Sequence, residues 1–410
     1  LDFVRGKANL CWISISEKNV PLQVKDVFAK LSEWPHRGVG SENEMEAREA
    51  LITELSGEFE VEISEEGFDA PPSYVRFLWS MGLTAMVALF WANVMPSILA
   101  LAGGVAFINI FLFFDGRFSP LIWWGARETT ANLVATKGAG RRLIILMAHL
   151  DSAPASFVFR PGQIAHFRLS IWIAMGIFGL AVLFPLLASF GASIDLVTLG
   201  VSAALIFGLL VFLSVDFWRF GYAPGANDNL SGVAAATSAA SHLWRLMPKG
   251  CEVRLVITSA KETGMLGAQH YWQTHRTELK QRETFVLNLD TVGCKNLSYV
   301  VESGGFTMMK YDNQLSQTAN NLTQLNQQFT KVTPARHETG CFDTIWFHRD
   351  GFPVLTLASY DNEGYMTAVH TPDDTPDKLN FASIQLAALF AESIVRMMPS
   401  STRDNFDDHA

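Results

Sequence analysis

Charge disappears from two stretches of the chain, and that pattern sets the order in which the rest can be read. Between Arg76 and Asp115 lie 38 residues without a charge, and between Arg168 and Asp195 lie 26. A further 20 separate Asp195 from Asp216. A helix needs about 20 apolar residues to cross a bilayer. The first block therefore predicts a tight pair of short helices that breaks near Asn93-Val-Met-Pro96. The second predicts two more, Leu169–Phe190 and Leu196–Val215, turning around Gly191-Ala-Ser-Ile-Asp195. Core helices of a large soluble protein would give similar runs, but four of them in two adjacent pairs are hard to bury. Trp79, Trp91, Trp172 and Trp218 stand near the segment ends, where amphipathic rings suit a membrane interface. Arg76, Arg117, Arg127, Arg160, Arg168 and Arg219 all flank the side facing the rest of the chain, and the two tips carry no basic residue. The positive-inside rule then predicts an integral membrane protein whose hairpins enter and leave from the cytoplasm, with everything else cytoplasmic.

Outside the hairpins the pattern alternates between helix and strand periods, which predicts an α/β fold. Residues 41–56 open with a capping box and carry a helical apolar face. Strands are expected at Phe59–Ile63, Thr130–Thr136, Leu143–Met147, Val253–Thr258, Thr284–Leu289 and Pro353–Leu357. Helices are expected at Gly232–Leu246, Met265–Thr274 and Phe381–Met397. The chain divides accordingly. Residues 1–73 and 117–167 belong to one α/β domain that resumes at 219–399. Residues 74–116 and 168–218 are membrane hairpins inserted into it, and 400–410 is a solvated acidic tail. The pocket-lining stretch 294–345 is read as loops.

Composition adds little beyond exclusions. The chain has 410 residues, with 31 basic against 40 acidic and no long basic run, which argues against nucleic acid as a partner. Cys11, Cys251, Cys294 and Cys341 are scattered, with the spacing of neither a zinc knuckle nor a disulfide framework.

Chemistry collects at the ends of the expected strands, where open α/β sheets place their sites. Leu143–Met147 runs into Ala148-His149-Leu150-Asp151-Ser152, and Gly225-Ala-Asn-Asp228-Asn-Leu-Ser-Gly232 opens a helix. Glu262 follows the strand Val253–Thr258, Asp290 follows Thr284–Leu289 within Asn288-Leu-Asp290-Thr-Val-Gly293, and His370 begins His370-Thr-Pro-Asp-Asp-Thr-Pro376. Two histidines and three carboxylates are the set needed for two divalent ions sharing a bridging carboxylate.

These segments, in this order, resemble the co-catalytic zinc aminopeptidase family, which includes bacterial leucyl aminopeptidases, glutamate carboxypeptidases and glutaminyl cyclases. AHLDS, GANDNLSG, ETGMLGAQHY, LNLDTVG and HTPDDTPDKL carry the resemblance, which extends from Arg37-Gly-Val-Gly-Ser41 to the C-terminal helix. It implies a mixed β-sheet sandwiched by helices and a peptidase acting on peptide substrates with two zinc ions. It also implies that His149 and Asp290 bind one ion, that Glu262 and His370 bind the other, that Asp228 bridges them, and that Asp151 orients His149. The hairpins are a departure from the usual soluble core of that family.

Lys261 is a second departure, because hydrolytic members usually carry two adjacent acids here, the first as general base. A protonated lysine cannot accept a proton from the attacking water. Three readings stay open: a membrane-embedded zinc aminopeptidase disabled or slowed at Lys261, a catalytically silent zinc protein that binds peptides in the membrane, and a glutaminyl cyclase-like acyltransferase.

Overall fold

The computed structural model describes residues 21–398; Cys11 and the acidic tail 400–410 lie outside them. Two helices lead, α1 (Val24–Leu31) and α2 (Glu42–Glu58), and α2 begins where expected because the Ser41 side chain accepts from the Glu44 amide. The strand expected at Phe59–Ile63 lies further along. α2 runs on through Glu58, and β1 (Glu62–Ala70) takes its register from antiparallel pairing with β2 (Glu128–Gly138).

The first hairpin, α3 (Tyr74–Phe90) and α4 (Pro96–Phe114), leaves the chain between β1 and β2. Ala70 and Glu128 remain paired across its base, so the hairpin occupies the place of a turn between two neighbouring strands. β3 (Arg142–His149) follows, and then the second hairpin, α5 (Phe167–Ser189) and α6 (Leu196–Phe220). An antiparallel bridge between Pro154 and Tyr222 closes this second base, and the Tyr222 hydroxyl donates to the Pro72 carbonyl at 2.8 Å. The feet of the two hairpins are thereby tied together.

The remainder alternates. It comprises α7 (Gly232–Arg245), β4 (Cys251–Thr258), α8 (Leu266–Gln281), β5 (Glu283–Leu289), β6 (Asn296–Ser303) and β7 (Met309–Lys310). After these come α9 (Gln314–Leu325), β8 (Thr333–His337), α10 (Ile345–Arg349), β9 (Val354–Tyr360) and α11 (Phe381–Met397). Among the described residues one nine-stranded sheet forms, in the order β1-β2-β4-β3-β5-β9-β6-β7 with β8 beside β6. β3, β4, β5 and β9 run parallel to one another, whereas β1 with β2, β2 with β4, and β6 with β9 are antiparallel. The sheet is mixed and flanked by helices, as expected. Along the wholly buried β3, Ile144, Leu146 and Ala148 enter the core under α7 and α11, and Leu143, Ile145 and Met147 enter the one under α8 and α10. Burial on both faces is why this strand reads as a continuous apolar run.

The stretch 294–345 is not all loop. It holds β6, β7, α9 and β8, elements that are half polar and gain their order from pairing with β9 and packing against α11.

Three helical segments, Pro96–Phe114, Ile164–Ser189 and Leu196–Phe220, are long and apolar enough to cross a membrane. α3 is apolar but has 17 residues. α4 packs most closely on α5 and α3 on α6. At Gly103 the approach is so close that a Cβ would meet the Ala181 carbonyl oxygen at 2.1 Å. The outward faces leave Leu101, Ile108, Ile173 and Val197 exposed.

Below the first turn of α2 the Glu44 carboxyl is buried and accepts from the Gly40 amide at 2.7 Å and from the hydroxyls of Thr130 and Ser259. Burial nevertheless pushes it up to about 7. The folded chain therefore holds a proton there that the unfolded chain releases from about pH 4.5 upward. The contribution to stability is full below that pH and is lost as pH rises through about 7. Glu44→Gln is expected to reduce the fall in stability across this window, measured as urea unfolding at pH values on either side of it.

Candidate metal centre

Parallel strands bring the quoted motifs to one edge of the sheet. His149 ends β3, and Asp290 follows β5, its amide bonded to the Leu357 carbonyl of β9 at 3.0 Å. Glu262 follows β4 after a turn through Ala260, which has positive φ. Asp228 lies in the buried bend before α7, where its peptide bond to Asn229 is cis. His370 comes from the loop after β9 and rests against the Phe159 ring, with centroids 4.3 Å apart.

The other four side chains gather around Asp228, whose two oxygens face the two histidines. His149 Nε2 is 3.0 Å from Asp228 Oδ1 and 3.6 Å from Asp290 Oδ2. His370 Nε2 is 2.9 Å from Asp228 Oδ2 and 3.0 Å from Glu262 Oε2. Suitable atoms of His149, Asp228 and Glu262 lie within 4.8 Å of one another, a grouping able to hold a metal ion. His149 Nε2 and Asp290 Oδ2 are buried without a hydrogen-bond partner. A buried donor atom left this way is costly, and a cation between them would satisfy both. The residues present therefore fit zinc.

Lys261 lies in the same space. Its Nζ is 2.7 Å from Glu262 Oε1, 3.5 Å from Asp228 Oδ1 and 4.0 Å from Asp290 Oδ2. Those oxygens face the His149 half of the cluster, and the His370 half uses the other oxygens of Asp228 and Glu262. Burial lowers the Lys261 ammonium, but the charges of Asp228, Asp290 and Glu262 outweigh it and hold the group well above its usual range. Burial likewise works against His370, yet Glu262 and Asp228 raise it to about 9. Asp228 is pushed up by burial and pulled down further by Lys261, His149 and His370, ending well below the carboxylate range. Asp290 ends raised, because burial there exceeds the help from Lys261 and His149.

Asp151 stands against His149, where the resemblance expects an orienting residue, and has a second task besides. His149 Nδ1 meets the Asp151 backbone carbonyl at 3.0 Å, and the carboxylate Oδ1 stands farther off at 3.4 Å. The carboxylate also accepts from the amides of Lys261 and Glu262, at 3.1 and 3.0 Å. It holds the turn that carries those two side chains.

Residue patterning left three supports unassigned. Asp374 accepts from the amides of Asn227 and Asp228 at 2.7 and 3.1 Å and so fixes the bend under Asp228. It stands in the quoted HTPDDTP run, where a second acid after the histidine was the available signal. Arg37, wholly buried, donates to the carbonyls of Leu150, Pro224 and Gly225. His337, at the end of β8, lines the cavity beside the cluster and is lowered to about 3 by burial and Lys261. Nothing in its surrounding sequence marked it.

Residues 212–395 match the model of Peptidase family M28. The matched stretch contains Asp228, Lys261, Glu262, Asp290 and His370, and the resemblance to co-catalytic zinc aminopeptidases holds. Aminopeptidase YwaD of Bacillus subtilis is 32% identical over 184 residues, which is 43% of this chain and 38% of that protein. A probable leucine aminopeptidase of Arthroderma benhamiae is 26% identical over 168 residues, 39% of this chain and 44% of that protein. The chain thus spans less than half the length of these curated relatives. Among solved structures, BSAP, a zinc aminopeptidase from Bacillus subtilis, matches at a TM-score of 0.55 and 14% identity, covering 92% of this chain and 96% of that one. The glutaminyl cyclase of Bacteroides thetaiotaomicron bound to N-acetylhistamine matches equally well, at 0.55 and 12% identity over 93% of this chain and 100% of that one. At such identities the likeness is one of fold.

Truncating the carboxylate that holds the Lys261–Glu262 turn is expected to loosen the centre without touching a candidate ligand atom. Asp151→Ala should weaken zinc retention by about 10–100-fold, read by competition with a chromogenic chelator. Unchanged retention would show that the turn holds itself.

Proposed function

We propose that this chain is a membrane-embedded zinc amide hydrolase of the aminopeptidase type, acting on short peptides. The observation that carries the reading is the convergence of two histidines and three carboxylates at the strand ends, with Asp228 turning one oxygen to each histidine. In this reading His149 and Asp290 would hold one zinc ion, Glu262 and His370 would hold a second, and Asp228 would serve both. Zinc bound there would supply a Lewis acid for the amide carbonyl and would acidify water.

Proton transfer falls to the chain's own groups. Asp228, kept ionised by its three cationic neighbours, accepts no proton in the neutral range. Glu262, lifted by burial but pulled down by His370 and Lys261 to about 2, accepts none either. Lys261 already carries its proton and stands where the family's base would stand, so it can donate to a departing amine but cannot deprotonate water. Losing a general base costs about 10²–10⁴-fold in rate. Its ammonium also contacts the oxygens that an ion beside His149 would need, so it must swing aside before that position fills. These contacts favour a second reading, a silent zinc centre that holds a peptide without cutting it.

Metal analysis comes first: fewer than about one zinc per chain after loading would sink the metal centre. Lys261→Glu is then expected to raise turnover on aminoacyl substrates by at least about 10²-fold and to tighten the second zinc position. Equal turnover in the two proteins, with tight peptide binding in both, would select the silent reading.

We also place α3–α6 in a bilayer, the M28 segment in the cytoplasm and the tips of both hairpins on the far side. The apolar outward faces and the basic flanks support this. Cysteines introduced at Ser97 and Ser193 are expected to react with an impermeant maleimide only from outside intact cells; reaction only from the cytoplasmic side would reverse the topology.

A further inference from the structure

The metal centre opens into a cavity of about 240 Å³ that belongs only in part to the α/β domain. At one end its wall is Asp228, Lys261, Glu262 and His370. Away from them the wall is shared between the hairpin helices and loops of the α/β domain, among them Phe159, His337 and Thr339. α5 contributes Phe167, Ser170, Ile171, Ala174 and Phe178, residues three or four apart that form a single helix face. From the first to the last of these a helix rises about 16 Å. α6 faces it with Leu210 and Leu213, and Ser170 is the only polar side chain on the α5 side.

The cavity also reaches the outside of the helix cluster. Phe212 lines it and is at the same time 45% exposed, and Ser170 is likewise exposed. α5 packs chiefly on α4, and α6 chiefly on α3, so the seam between α5 and α6 is the less closely packed one. The less closely packed seam, between the two arms of the second hairpin, thus borders the cavity that ends at the carboxylate–histidine cluster.

A short peptide is poorly matched to this space. Its backbone amides would give up water along α5 without gaining partners, a cost that a hydrocarbon chain does not incur. A molecule that is a polar amide at one end and a long apolar chain at the other satisfies both walls. We propose that the substrate is a long-chain acyl amide, an N-acyl amino acid or N-acyl peptide, with its amide at the cluster and its acyl chain along α5. The inference rests on the amide-hydrolase part of the proposed function and replaces short peptides by N-acyl compounds as the substrate class. The reaction breaks the acyl C–N bond; the oxygen of water joins the acyl carbon as a carboxylate, and the amine leaves with both protons of water.

Seating and cleavage are tested separately on the full chain in lipid nanodiscs. The probe is N-hexadecanoylglycine carrying a diazirine midway along the chain, with crosslinks mapped by mass spectrometry. Crosslinks are expected at Ile171, Ala174 or Leu210. They should be suppressed by unlabelled N-hexadecanoylglycine, remain in the presence of N-acetylglycine, and fall to background in both Ala174→Trp and Leu213→Trp. Labelling confined to the outward Trp172 and Ile173, or labelling that unlabelled N-hexadecanoylglycine does not displace, overturns the chain site. Glycine release is followed in the same samples. Cavity labelling without release supports the chain site and overturns the hydrolase reading; release of amino acids from short peptides without cavity labelling does the reverse.

Discussion

Three carboxylates buried against one another cannot all stay ionised unless positive charge stands among them. Two unit charges 4 Å apart repel by about 4 kcal/mol even at an effective dielectric constant of 20. Asp228, Glu262 and Asp290 are each nearly inaccessible to solvent. The chain supplies three cationic or protonatable partners, His149, His370 and Lys261, and their effect is unequal. Asp228 touches all three and is held ionised, whereas Asp290 stays raised and keeps Oδ2 unpartnered. The shortfall of positive charge is therefore local. It lies between His149 and Asp290, on the side that Lys261 reaches only at 4.0 Å.

Holding such a cluster together requires a stiff backbone, and the supports are all buried polar groups. Asp374 pins the bend under Asp228, Asp151 pins the turn under Lys261 and Glu262, and Arg37 ties both neighbourhoods to its own loop through three carbonyls. Ala260, Thr291 and His370 all adopt positive φ, at 56°, 56° and 55°. Each such residue costs on the order of 1–3 kcal/mol unless its surroundings enforce it. The three sit immediately before Lys261, immediately after Asp290 and at a candidate ligand itself. The strain is concentrated where side chains must be aimed.

How much of this could be read from residues alone divides along the same line. Strands buried on both faces, such as β3, announce themselves as apolar runs, and the hairpins do so by their absence of charge. The five converging side chains were legible because each comes after such a strand or opens a helix. β6, α9 and β8 were not, since their polar residues are ordered by neighbours distant in the chain, which no local period records. Asp151 was legible as the neighbour of His149 but not in its second task, for a related reason. A His-x-Asp spacing shows that the two residues are close, but it does not show that two amides far along the chain compete for the carboxylate. Lys261 was visible as an anomaly, yet which carboxylate oxygens it takes is a matter of three-dimensional placement.

The second hairpin is inserted between His149 and Asp228, so any tilt of α6 in a bilayer would bear directly on the shared carboxylate. The structure puts a clamp in that connection instead of a hinge. Gly221 accepts from the Ala155 amide at 2.9 Å, and the Ala223 amide donates to Ala153 at 2.8 Å. Pro224 and Gly225 are then gripped by Arg37, and Asp374 takes over at Asn227. Nearly every residue between the end of α6 and Asp228 is thus bonded to a part of the chain outside the hairpin. Replacing Arg37 would leave three buried carbonyls unpaired at that clamp, each at a cost of about 1–3 kcal/mol. The geometry of the cluster is accordingly fixed by groups outside the hairpin, although the wall of the cavity along α5 belongs to the hairpin itself.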